Sequence, residues 1–271
     1  MEKPYILHMF TPGEQMSPFD NNMAVDAGCA HVFQYTRVAP EAVVALTQDA
    51  VFSRGPKGLR RSGLFIGGRD VATASDMLSR ARGAMPPSFE ISVMADPSGA
   101  FTTAAAMVAS VERALNQDNP AALAGHRVLV IGTGPVGRAA AALTARMGAE
   151  TRMCGRRLAS AQEAAAQTND LFGVSVQAIG RDDQHQDPLR DSDVVLACAA
   201  AGVQVVSQQQ LEVASIRVAA DVNAVQPEGI AGVSAFDRFK RMEQGGLAIG
   251  ALAIGDIKYR TQQALLRKMV E

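Results

Sequence analysis

The sequence has no tryptophan, and aromatic residues make up only 5% of it. With so few rings, a base-stacking platform or an aromatic carbohydrate groove is not expected. Cysteine is scarce too. Cys29, Cys154 and Cys198 are odd in number and far apart, which suggests neither a disulfide framework nor a CxxC zinc site. Neither charge is in surplus: 26 Lys and Arg against 27 Asp and Glu give a net of −1. Broad nucleic-acid binding or a polybasic membrane contact would want a basic excess. The longest apolar stretch, Val194 to Val206, is interrupted by Gln204 and is too short to span a bilayer. The segment from Met1 to His8 carries no apolar run of signal-peptide length. A soluble, cytoplasmic protein of a reducing compartment is expected, with no membrane or nucleic-acid partner. A weakly charged chain that is 48% hydrophobic is also expected to self-associate as a homo-oligomer.

What is present is enough apolar residue for a sizeable core and a length of 271 residues. At about 150 residues per domain that means one large or two modest domains. Strand-like and helix-like segments alternate. Tyr5–Phe10, His31–Val38, Gly63–Gly68 and Phe89–Ala95 read as strands, and Glu41–Phe52, Asp70–Arg82 and Ala100–Leu115 as helices. Asn116–Pro120 is polar, contains proline and lacks periodicity, so a domain boundary is placed there. A second series follows. Arg127–Ile131, Glu150–Cys154, Ser175–Ile179, Asp193–Ala199 and Arg217–Ala220 read as strands, Val136–Met147 and Leu158–Phe172 as helices, and Ile257–Val270 as a terminal helix. The expectation is an α/β protein of two domains.

The strongest local signal is Val128-Leu129-Val130-Ile131-Gly132-Thr133-Gly134-Pro135-Val136-Gly137, an apolar strand running into G-x-G-x-x-G and then an Ala-rich helix. In such a turn Gly132 permits the tight bend. Gly134 lets backbone approach a pyrophosphate, and Gly137 lets the helix pack close to the strand. The helix N-terminus then offers N–H groups to phosphate. An NAD site ordinarily places an acidic residue after the next strand, to hold the ribose 2′-hydroxyl. Here Cys154-Gly155-Arg156-Arg157 stands instead. Two guanidiniums suit a 2′-phosphate, which favours NADP. The alternatives are a bare glycine turn and two solvated arginines at a helix start.

The chain lacks a Tyr-x-x-x-Lys pair: the residues four after Tyr5, Tyr35 and Tyr259 are Met9, Ala39 and Gln263. His8, His31, His126 and His185 are isolated, and no metal-ligand spacing links them to the cysteines. Hydride transfer without an acid–base dyad suits a substrate whose oxidation frees no hydroxyl proton. A carbon between two nitrogens is one, because loss of hydride leaves a resonance-stabilised amidinium.

Several stretches together resemble the NAD(P)-dependent methylene-tetrahydromethanopterin dehydrogenases of one-carbon metabolism. They are Ser17-Pro18-Phe19-Asp20, Asp96-Pro97-Ser98-Gly99-Ala100-Phe101-Thr102-Thr103-Ala104-Ala105-Ala106, the glycine turn, Cys154-Gly155-Arg156, Ala220-Asp221-Val222-Asn223-Ala224 and Gly250-Ala251-Leu252-Ala253-Ile254-Gly255-Asp256-Ile257-Lys258. The resemblance covers nearly the whole chain. It implies an N-terminal α/β substrate domain, a Rossmann-type doubly wound NADP-binding domain, and a cleft between them. The substrate domain would be residues 1–119, completed by the terminal helix 256–271, and the nucleotide domain 120–255. The implied reaction is hydride transfer from methylene-tetrahydromethanopterin to NADP, giving the methenyl form, as in formaldehyde oxidation. The missing Tyr-x-x-x-Lys argues against a cyclohydrolase activity.

On this basis Gly132, Thr133, Gly134, Pro135, Val136, Gly137, Arg156, Arg157 and Asn223 are expected at the cofactor. Asp20, Thr102, Thr103 and Lys258 are expected at the pterin, with Lys258, Asp96 and Asp20 as catalytic candidates. Asp20 and Asp96 are expected in loops near strand ends. Asp96 and the threonines also fit helix caps, and Asn223 an ordinary turn. A lysine does not stabilise a product cation, so positioning of the pterin suits Lys258 better. No metal is expected. The rival readings are a methylene-tetrahydrofolate dehydrogenase, a shikimate- or amino-acid-dehydrogenase-like enzyme, and a non-catalytic NADP sensor. The last would have no need to keep Asp20, Asp96, Thr102 and Lys258 converging.

Overall fold

The computed structural model describes residues 3–116, 123–180 and 188–269. The expected boundary at 119/120 and His185 lie outside them. Contacts group the chain into two compact units, Met1–Thr102 with Tyr259–Glu271, and Thr103–Lys258.

The first unit runs β1 (Ile6–Phe10), α1 (Pro18–Asp26), β2 (His31–Tyr35), α2 (Val43–Phe52), α3 (Pro56–Leu59), β3 (Ser62–Ile66), α4 (Val71–Gly83) and β4 (Ser92–Ala95). Its sheet has the order β2-β1-β3-β4 and is parallel throughout. Strand alternation divides its core into two layers. Leu7, Met9 and Phe65 pack with Met23 and Ala24 of α1 and with Leu266 and Met269 of the terminal segment. Phe10, Leu64 and Ile66 face the other way and pack with Val43 and Val51 of α2 and Ala74 and Met77 of α4. Asp70 caps α4 by accepting the Thr73 N–H at 2.7 Å.

Two expectations change here. The strand expected over His31–Val38 ends at Tyr35, because Arg37 takes a left-handed φ of 54° and its N–H turns to the Gly13 carbonyl. A helix that sequence periodicity did not reveal, α1, occupies 18–26 with Pro18 in its first turn. Asp20, expected in a loop, is therefore helical.

In the second unit α5 (Ala100–Leu115) is followed by β5 (Arg127–Ile131), α6 (Pro135–Arg146), β6 (Glu150–Gly155), α7 (Leu158–Phe172), β7 (Val176–Gly180), β8 (Val194–Ala197), α8 (Gln208–Glu212), β9 (Val218–Asp221), β10 (Arg238–Arg241), β11 (Leu247–Ile249) and α9 (Ala251–Lys268). The division between units falls inside α5 and α9. From Thr103 onward α5 groups with the second unit, burying Met107, Val108 and Val111. The sheet order is β10-β11-β9-β8-β5-β6-β7, parallel except for β10 on β11. β8 and β9 are buried along their whole length, as strands covered on both faces are, which is why β8 and the Val218–Ala220 part of β9 are apolar throughout. The β10–β11 pair was not legible: its first strand is Arg-Phe-Lys-Arg, and the turn depends on Gly245 and Gly246 at positive φ. α9 begins six residues before the expected Ile257, so Lys258 lies well inside the helix.

His8 on β1 is 9% exposed, and its Nδ1 lies 3.1 Å from the Tyr35 hydroxyl. Burial, and then the nearby Arg54 guanidinium, hold its pKa below the ordinary 6.5. On acidification the unfolded chain thus takes up this proton first. The stability that His8 contributes is intact above pH 6.5 and is lost as the pH falls from there to the folded value. The expected outcome is that thermal melts at neutral and mildly acidic pH show a larger loss of Tm for the wild type than for His8→Gln. Equal losses would contradict it.

Candidate functional site

The glycine turn follows β5 directly. Gly132 has a φ of +131° and donates its N–H to the Cys154 carbonyl at 2.9 Å. A Cβ on Gly132 would collide with the Cys198 carbonyl, and one on Gly137 with the Gly132 carbonyl. Both glycines are thus required by the protein's own packing. Gly134 is different. Its φ of −77° is open to any residue, and no described atom lies within 4 Å of where its Cβ would be. Neither conformation nor packing calls for glycine there, whereas close approach of a ligand to bare backbone would. Gly134 is the N-cap of α6, with Pro135 in the first turn and no side chain capping the helix. Its first N–H groups are thus left for another acceptor.

β6 lies beside β5, pairing Ile131 with Cys154, and ends at Gly155. Arg156 and Arg157 then carry exposed side chains before α7. Together with Thr133 and Ser160 they line a cavity of about 480 Å³. The structure therefore brings the glycine turn and both arginines to one place. Ser160, which lies 3.3 Å from an Arg157 Nη2 that donates to its Oγ, was missed by sequence reading. A serine in a first helical turn carries no signal of its own beyond capping.

On the other side of β5, β8 and β9 end level with the turn: Ile131 pairs with Ala197, and Ala197 with Asp221. Asn223 is 6% exposed and knits loops together. Its Oδ1 accepts the Gly202 and Val225 N–H groups at 3.1 and 2.9 Å, and its Nδ2 donates to the Pro227 carbonyl at 2.8 Å. Asp221 is buried and was not singled out by its sequence context. Its Oδ1 accepts the Asn223 N–H at 2.9 Å and its Oδ2 the Ile230 N–H at 3.0 Å, with a further backbone bond from Gly229. Burial raises its pKa above the ordinary carboxylate value, and those backbone donors oppose the rise. Burial also pushes the Cys198 thiol up to about 12, helped by Asp221, so Cys198 stays a protonated packing group.

In the first unit Asp96, expected as cap or functional carboxylate, makes the cap. Its Oδ1 accepts the Phe101 and Thr102 N–H groups at 2.9 and 3.2 Å, and its Oδ2 the Thr102 hydroxyl at 2.6 Å. Both residues are buried. Asp20, also buried, accepts from Gln262 Nε2 at 2.8 Å, tying α1 to the terminal segment. Gln262 was missed because a glutamine within a helical pattern reads as surface. Thr103 and Lys258 are half-buried residues of the second unit.

Gly137 and Gly134 separate by experiment. Gly137→Ala is expected to cost about 3 kcal/mol of stability through overpacking, read as a lower Tm. Gly134→Ala is expected to leave Tm unchanged and to weaken dinucleotide binding. A Gly134→Ala variant that binds like the wild type would contradict the assignment.

The model of the family "Methylene-tetrahydromethanopterin dehydrogenase, N-terminal" matches residues 18–98. An NAD(P)-dependent methylenetetrahydromethanopterin dehydrogenase from Methylorubrum extorquens is 43% identical over 98% of this chain and 92% of its own. The Bifunctional protein MdtA of the same organism is 35% identical over the same shares. Among solved structures, a ligand-free 5-ketofructose reductase of Gluconobacter aligns over 99% of this chain and 98% of its own, with a TM-score of 0.57 and 15% identity, a likeness of fold alone. The chain therefore belongs to the NAD(P)-dependent methylenetetrahydromethanopterin dehydrogenase family.

Proposed function

We propose that this chain transfers a hydride from the methylene carbon of methylene-tetrahydromethanopterin to NADP, giving the methenyl pterin and NADPH. The observation that carries the reading is the cavity in which Thr133 of the glycine turn meets Arg156 and Arg157, beside a Gly134 whose lack of a side chain no contact among the described residues explains. These residues fit a dinucleotide with a 2′-phosphate. The turn from Gly132 to Gly137, with Thr133, Pro135 and Val136, would take the pyrophosphate. The arginines would take the 2′-phosphate, with the Ser160 hydroxyl beside them. When bound, NADP supplies the hydride acceptor.

The chain's own residues have a lighter task than in an alcohol dehydrogenase. The carbon that loses hydride lies between two nitrogens, so positive charge forms without a proton leaving an oxygen. Alignment of the substrate then matters more than acid–base chemistry. The proposed pterin residues are Asp20, Thr102, Thr103 and Lys258. Asp20 and Asp96 supply negative charge that favours the developing amidinium. Asp96 acts by fixing Thr102, because its oxygens hold the first turn of α5. Lys258 serves to orient the pterin by hydrogen bonding, since its own charge opposes the product cation.

The cysteines are free and buried, which supports a cytoplasmic setting. No helix among the described residues is long and apolar enough to cross a membrane. A homo-oligomer remains the proposed assembly, on the low net charge and apolar content.

A spectrophotometric assay with methylene-tetrahydromethanopterin and NADP tests the reaction. NADPH formation is expected, and none with folded protein and either cofactor would overturn the proposal. Substituting Arg156 and Arg157 together by Ala is expected to weaken NADP by about tenfold or more and NAD far less, as charge-assisted bonds to the 2′-phosphate are lost. Equal losses for both cofactors would remove the 2′-phosphate role.

A further inference from the structure

Asp221 is costly where it stands. It is 1% exposed and carries a carboxylate into a closely packed layer; among the described residues no cation offsets the burial, and the Glu228 carboxylate adds to its cost. What it does have is a set of backbone donors, all from the segment that follows β9. Asn223 and Ile230 each give an N–H to a different oxygen, and Gly229 gives a third bond. Gly229 comes so near that a Cβ there would lie 2.7 Å from Oδ1. An amide would not substitute. It has one acceptor oxygen, and its NH₂ would face a backbone N–H.

The bonds that Asp221 organises continue outward. Asn223, once held, takes the N–H of Gly202 from the loop after β8. The Gly229 carbonyl accepts from Val205 and Val206 at 2.7 and 3.0 Å, and the Val206 carbonyl from Ala231 at 2.9 Å. The loops 198–206 and 222–231 are thus zipped together behind one carboxylate. They stand at the ends of β8 and β9, on the side of the glycine turn away from β6 and its arginines. At their outer parts Val203 and Val225 are 47% and 55% exposed, apolar side chains on a surface held rigid from within. A dinucleotide whose 2′-phosphate lies at β6 and whose pyrophosphate lies on the turn must send its other half this way.

We propose that Asp221 is a positioning residue, which through Asn223, Gly229 and Ile230 sets the paired loops that receive the nicotinamide half of the cofactor and takes no part in holding the adenosine half. This rests on the dinucleotide reading above. It assigns the cost of burying Asp221 to ligand geometry.

Calorimetric titration of the full chain with NADP and with adenosine 2′,5′-bisphosphate tests it, since the fragment lacks the nicotinamide half. For the wild type both bind, NADP more tightly. For Asp221→Asn the affinity for NADP is expected to fall at least tenfold, toward that of the fragment, while the fragment's own affinity stays within about twofold. Asn223→Ala, which removes the tie to Gly202 and spares the carboxylate, is expected to show the same pattern to a lesser degree and carries the test if Asp221→Asn does not fold. Equal losses for NADP and the fragment would mean general support of the unit and would overturn the proposal, as would an unchanged NADP affinity in a folded variant. A wild type that binds neither ligand would overturn the dinucleotide reading itself, and this inference with it.

Discussion

The backbone of Gly132 lies against the Cys198 carbonyl, and Gly137 lies against the carbonyl of Gly132, each with no space for a Cβ. This double close approach fixes the distances between β5, the start of α6 and the end of β8. The remaining features of the candidate cofactor site depend on it. It sets the start of α6, where Gly134 is the N-cap, no side chain caps the helix, and the space beside Gly134 is open. It also sets the turn level with the end of β6, where Arg156 and Arg157 emerge. On the far side the same carbonyl contact places the Cys198 backbone directly before the loops that Asp221 holds. One packing constraint thus coordinates the candidate phosphate-binding turn with the loops on one side of it and a pair of cations on the other.

Polar groups are used differently in the two units. In the second, the exposed arginines meet solvent and a cavity, where charge is cheap to keep and available to an anion. In the first, the candidate groups are buried and already hydrogen-bonded: Asp96 with Thr102, and Asp20 with Gln262. Such an arrangement suits a site that aligns an uncharged substrate portion, because fixed dipoles and a fixed carboxylate need little reorganisation as positive charge appears. It does not suit a proton shuttle, which would want a titrating group within reach of water. The chemistry proposed here, in which no hydroxyl proton is released, asks for the first and not the second.

Much of this was legible in the sequence, for identifiable reasons. The strand–glycine turn–helix run was readable because each glycine answers a local demand, and the structure finds two of those demands in the protein itself. The central strands were readable as apolar runs because both their faces are buried. What escaped notice depends on partners distant in sequence. Asp221 looks like a strand-end aspartate until Gly229 and Ile230 fold back on it. Gln262 looks like a surface glutamine until α1 brings Asp20 to it, 242 residues away in the chain. α1 itself is too short and too evenly mixed to show a helical stripe, and the basic β10 looks unlike a strand because it is an edge. The early start of α9 was hidden by Gly250 and Gly255, which are helix breakers by composition. Gly250 in fact sits where a Cβ would strike the Ser234 carbonyl.

In the proposed binding mode the end of β6 reads a 2′-phosphate through Arg156 and Arg157, and the glycine turn holds the diphosphate that both dinucleotides share. The most direct measurement is the pair of dissociation constants of the wild-type protein for NADP and NAD in the same buffer, by calorimetric titration. NADP is expected to bind at least about tenfold more tightly, and the difference to shrink as salt rises, since it arises between charges near the surface. Equal affinities, or a preference for NAD, would contradict it.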